Sequence, residues 1–108
     1  MGRPYLGEFE ELVLLAVAVL DGSAYGVTIA AELKLRTNRS ISLSGVHIAL
    51  YRLEEKGFVS STFGGATAAR GGRRKRLFAI TAVGKQTLSE MRQVRNELWD
   101  AIPTPSWS

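Results

Sequence analysis

The sequence predicts an α+β fold that is mostly α: three helices, a two-stranded β-hairpin and a long closing helix, in that order along 108 residues. Three observations lead there. Apolar residues recur at helical spacing in four stretches. Two β-branched and aromatic runs flank a segment rich in glycine and arginine. Residues that favour helix ends stand at the borders between these stretches. The chain has one domain's worth of residues, enough for a single core and too few for a catalytic unit beside a binding one. A hydrophobic fraction of 45% with 22% charged residues is an ordinary globular balance, which excludes a disordered or collagen-like chain.

The first helix is expected over residues 8–20. Glu8, Glu10 and Glu11 occupy its first turn, where the helix dipole favours carboxylates. The apolar run that follows, from Leu12, covers most faces, so this helix is expected to be buried on nearly all sides. The run is too short to cross a bilayer and is preceded by acids where a signal peptide carries positive charge, which points to an intracellular, cytoplasmic chain with no membrane partner. Asp21, Gly22 and Ser23 make a turn. A second helix follows over residues 25–35, with Val27, Ile29, Ala30 and Leu33 facing inward. After a polar stretch, Ser42 or Ser44 caps a third helix that runs to Lys56 and is ended by Gly57 in the left-handed conformation. On that helix Val46, Ala49, Leu50 and Leu53 form one inward stripe, leaving Gly45, His47, Ile48, Tyr51, Arg52 and Glu55 outward.

Residues 58–63 and 75–81 are the two strands, in the second of which Phe78 and Ile80 alternate with Leu77 and Ala79. Residues 64–74 between them are too small and flexible in composition to pack as a core element and read as a projecting loop. Thr81 caps the last helix, which reaches to about Ala101 and is stopped by Pro103. Leu88, Met91, Val94 or Arg95, Leu98 and Ile102 give it a narrow seam, which either packs on its own domain or meets the same helix of a second subunit. The chain thus divides into residues 1–81, a terminal helix over 82–102 and a tail over 103–108, one compact domain overall.

This order of elements is that of a winged helix-turn-helix, in which the third helix enters the major groove of DNA and the hairpin loop follows the phosphates. The charges agree. The net charge is +4, and from Lys56 to Ser89 there are Lys56, Arg70, Arg73, Arg74, Lys75, Arg76 and Lys85 without one aspartate or glutamate. An isolated RGGRRKR run is as readily a solvated turn. Here glycines hold it off the body, so its guanidinium groups can approach neighbouring phosphates without burying unpaired charge. Candidate DNA contacts are therefore Ser42, Ser44, Gly45, His47, Ile48, Tyr51 and Arg52 from the third helix and Arg70, Arg73, Arg74, Lys75 and Arg76 from the wing. For His47 and Tyr51 the alternative is ordinary surface polarity, and Arg52 can equally pair with Glu54 or Glu55 on its own helix. There is no cysteine and one histidine, so thiolate chemistry is excluded and His47 lacks the second ligand a metal needs. No catalytic motif or phosphate-binding glycine loop is present, and neither enzyme activity nor a cofactor is expected.

The stretches YLGEFEELVLLAVAVL, AYGVTIAAEL, SLSGVHIALYRLEEKGFV and GGRRKRLFAITAVGKQTL together resemble the PadR family, the phenolic acid decarboxylase regulators, over nearly the whole chain. Tyr25, Gly26, Leu53, Glu54, Gly57, Thr81 and Gly84 fit its most telling positions. The resemblance implies a homodimeric repressor that binds an inverted-repeat operator in double-stranded DNA. It also implies a dimer joined through the first and last helices, here Phe9, Leu12 and Val13 with Leu88, Met91, Val94, Arg95, Leu98, Trp99 and Ile102. The single short terminal helix resembles the compact branch of the family, in some members of which an aromatic residue on that helix stacks on planar drugs at the dimer interface. Trp99 is the similar residue here and marks a candidate pocket for a small hydrophobic effector, with plain packing as the alternative. The family usually carries tyrosine where this chain has His47, which leaves the base contact at that position open. A competing function for the same fold is a protein-interaction module whose basic wing docks on an acidic partner.

Overall fold

Six elements follow one another in the expected order: α1 (Glu8–Val19), α2 (Gly26–Thr37), α3 (Leu43–Glu55), β1 (Val59–Phe63), β2 (Arg76–Ile80) and α4 (Ala82–Ala101). They are seen in a computed structural model, which describes residues 6–64 and 75–103. The two strands pair antiparallel from Val59 opposite Ile80 to Phe63 opposite Arg76. The fold is therefore α+β and mostly α, as its sequence predicts.

Local chemistry sets the helix ends. Ser42 is the cap of α3, its hydroxyl accepting a hydrogen bond from the Gly45 amide at 3.0 Å; Ser44 lies inside the helix. Gly57, at φ +82°, turns the chain out of α3 in a conformation that costs a side-chain-bearing residue more. Thr81 accepts from the Gly84 amide at 3.0 Å and donates to the Gly57 carbonyl at 2.7 Å, so one hydroxyl caps α4 and fastens it to the end of α3. The second helix continues two residues past its expected end because Asn38, at φ 55°, supplies the left-handed stop.

Leu14 and Val17 of α1, Ile29 and Leu33 of α2, Val46, Leu50 and Leu53 of α3, and Phe58 and Phe78 of the hairpin form one buried cluster. The hairpin is bound to this body by a backbone bridge in which the Phe78 amide donates to the Ala24 carbonyl at 2.8 Å. Three expectations about burial are corrected. Val27 is 56% exposed: two positions along a helix lie about 200° apart, so it cannot share the inward face of Ile29. Leu15 and Val19 are 41% and 54% exposed, so α1 keeps an uncovered apolar face. Val13, expected at the interface, is 0% exposed within the chain's own core and presents no surface to a second subunit.

The acids of the first turn of α1 each meet a cation from a different part of the chain: Glu8 with Arg39 at 2.8 Å, Glu10 with Lys56 at 2.7 Å and Glu11 with Arg95 at 2.6 Å. The Glu10–Lys56 pair is the least exposed of the three, and of the three it has most to contribute, since exposed pairs are worth at most about 1 kcal/mol. In α4 only Gly84 is buried, Leu88 and Met91 rest half-buried on the core, and residues 92–101 are all exposed. The distal half of this helix therefore buries no side chain against its own domain, though Arg95 reaches back to Glu11.

Candidate nucleic-acid interface

The outward face of α3 is built from positions three and four residues apart, Ser44, His47, Ile48 and Tyr51, opposite the buried stripe. All four are exposed, Tyr51 by 63%. Two hydroxyl groups, an imidazole and an apolar surface thus lie in one row on a rigid helix, a set able to donate to, accept from and pack against base edges and sugars. Ser42 is exposed but its oxygen is engaged by the helix cap, and Gly45 is half-buried.

The His47 imidazole lies against Gly26 at the start of α2. A Cβ at residue 26 would stand 2.6 Å from its Cε1 and 2.9 Å from its Nε2. The missing side chain at Gly26 is what lets the ring occupy this place. Arg52 pairs with neither neighbour on its own helix. It points to Glu10 of α1, at 3.8 Å, because residues 52 and 56 share the side of α3 that faces the first turn of α1.

At the root of the wing, the Lys75 ammonium stands 4.6 Å from the centre of the ring of Tyr25, the residue just before α2, a cation–π contact. Arg76 donates through Nη2 to Glu54 Oε1 at 2.8 Å and through Nε to Ser61 Oγ at 3.1 Å, and lies over Phe78. Arg70, Arg73 and Arg74 lie outside the described residues. Between these anchors is a cleft of about 330 Å³ lined by Tyr25, Gly26, His47, Tyr51, Glu54 and Arg76 among others. The α3 face, the start of α2 and the hairpin root thus form one continuous surface.

Of the residues assigned to a dimer, Phe9, Leu12, Leu88 and Met91 pack in part on the chain's own core, while Val94, Leu98 and Trp99 are exposed. Arg95 is paired with Glu11 of its own chain, and Ile102 lies past the last helical residue, in the extended conformation that a following proline favours. Leu15 and Val19 join this exposed apolar set although the sequence pattern does not single them out. The signal for them is that an apolar run covering nearly every side of α1 exceeds what a small helical chain can enclose.

Three helices with a hairpin packed at the end of the third and a closing helix define a winged helix-turn-helix. The model of the transcriptional regulator PadR-like family matches residues 14–90, and the chain belongs to that family. Among solved structures it is similar to a PadR-like transcriptional regulator from Bacillus cereus, with a TM-score of 0.70 at 17% identity over 87% of this chain and 86% of that one. A PadR family regulator from Eggerthella lenta gives a TM-score of 0.67 at 22% identity over 88% and 82% of the two chains. One from Clostridium difficile gives 0.64 at 23% identity over 85% and 93%. These likenesses show the fold. A comparison with curated proteins gives no match. Among the described residues no helix is long and apolar enough to cross a membrane.

Proposed function

We propose that this PadR-family regulator is a homodimeric, cytoplasmic repressor that binds an inverted-repeat operator and blocks transcription by occupying it. The observation that carries the reading is the exposed row Ser44, His47, Ile48 and Tyr51 on α3, set beside the root of a wing whose remaining charges are Arg70, Arg73 and Arg74. The helix row reads bases from the major groove, and the wing arginines bind phosphates and fix register. Residues 1–81 serve as the DNA-binding part and residues 82–102 as the dimerisation helix.

Dimerisation is supported by the exposed apolar residues Val94, Leu98 and Trp99 on the half of α4 that leaves the body, and by Leu15 and Val19 on α1. A second copy laying its α4 across this α1 face would cover both sets. Two α3 helices related by the dimer axis would then read half-sites about one helical turn apart. Trp99 offers a flat aromatic surface for a planar hydrophobic effector, which would alter the spacing of the two α3 helices and so weaken binding. Titration of the purified protein with selected operator DNA at several salt concentrations tests the reading. Affinity should fall by roughly a decade per tenfold rise in salt for each phosphate contacted. A salt-independent complex contradicts it, and capture of one acidic protein in place of DNA would instead support the interaction-module function.

A further inference from the structure

Glu54, Ser61 and Arg76 form a closed triangle where the wing leaves the body. Arg76 Nη2 donates to Glu54 Oε1 at 2.8 Å, Ser61 Oγ donates to Glu54 Oε2 at 2.7 Å, and Arg76 Nε donates to Ser61 Oγ at 3.1 Å. Both carboxylate oxygens are thus occupied, and α3 is tied to both strands at once. Ser61 stands opposite Phe78, so Ser61 and Arg76 are diagonal neighbours on one face of the hairpin.

We infer that Glu54 is a positioning residue: it fixes the angle of the wing relative to the outward face of α3, with Arg76 as its partner and not as a phosphate contact. Three observations carry this. A two-stranded hairpin has little stability of its own and takes its orientation from what it is fastened to. The backbone bridge to Ala24 holds it at Phe78, whereas the last described strand pair before the loop is Phe63 with Arg76, and there the triangle supplies the fastening. Finally, a carboxylate beside a DNA-binding surface repels the polyanion, and swinging Arg76 out to a phosphate would leave Glu54 with the Ser61 hydroxyl but no cation in that field. Lys75 in turn rests on Tyr25, the residue that caps α2, so both described cations of the wing root are turned toward the helical body.

The inference rests on the operator-binding function proposed above. It is tested with the full chain as Glu54→Gln, Arg76→Gln and the double variant, measuring affinity for a selected operator duplex, its salt slope and the melting midpoint of each protein. Although Glu54→Gln removes a negative charge, it should weaken binding about tenfold and flatten the salt slope, because the wing arginines no longer reach their phosphates. The double variant should bind no more weakly than the weaker single one. Unchanged or tighter binding by Glu54→Gln, with Arg76→Gln alone reducing the slope by about one phosphate's worth, would overturn the inference and make Arg76 a direct contact. A lowered melting midpoint for Glu54→Gln with unchanged affinity and slope would overturn it in favour of a role in the fold alone. A parent chain that binds no duplex would overturn the operator function itself, and is distinguished because the failure appears without any substitution.

Discussion

Gly26 and His47 are a fitted pair: the ring lies where a side chain on residue 26 would have to go. Gly26→Ala should therefore act on the reading face more than on the fold. His47 is exposed and can rotate aside, and alanine is the better helix former, so the unfolding free energy should stay within about 1 kcal/mol of the parent. Operator affinity should change, because the imidazole is displaced from its place beside Tyr51. Denaturant melts and binding titrations on the same samples separate the two effects. At this scale the residues whose partners are near in sequence were legible. Ser42, Gly57 and Thr81 act on neighbouring backbone and appear as expected. The partners of Arg52 and Arg76 were not legible, since Glu10 and Glu54 reach them only through the packing of α1 on α3 and of α3 on the hairpin.

Among the elements, α4 depends on a close approach that tolerates no side chain. A Cβ on Gly84 would lie 2.3 Å from the Phe58 carbonyl oxygen, which is itself held by the Thr81 amide at 3.0 Å. The obstacle is backbone, so Gly84→Ala should destabilise the fold by roughly 1–3 kcal/mol, read from a denaturant melt. The wing is the opposite case. Its glycine-rich composition marks it as a loop in the sequence, and the role proposed for it rests on its charges, so changing Arg70, Arg73 and Arg74 to alanine should leave the melt within about 0.5 kcal/mol of the parent. The same change should reduce the salt slope of DNA binding by roughly one for each phosphate no longer bound. The helices and strands were legible from different signals: helical periodicity with the caps Ser42 and Thr81 for α3 and α4, a run of apolar residues behind first-turn acids for α1, and β-branched and aromatic runs for the strands. The exposed face of α1 was not, because a run apolar on every side carries no phase that says which side is covered.

For the whole molecule, the distal half of α4 and the uncovered side of α1 are surfaces that a single copy leaves in water, and a second copy is what would remove them. Leu98 is 65% exposed, so Leu98→Glu should cost the fold of one chain little while separating the dimer, observable by sedimentation, with operator affinity falling as the two half-sites lose their linkage. If Trp99, 62% exposed, lines an effector pocket, planar hydrophobic compounds should quench its fluorescence and weaken operator binding together; a panel that changes neither rules the effector out. The proposed dimer axis would decide more than oligomeric state, since it would set the symmetry of the DNA that two α3 helices can read. The most direct test is selection of bound fragments from random DNA by the purified parent chain and by the variant with Arg70, Arg73 and Arg74 changed to alanine. Enrichment of an inverted repeat with half-sites about one helical turn apart, abolished in the variant, is the predicted result. Enrichment of no sequence at any salt concentration would contradict the operator-binding function.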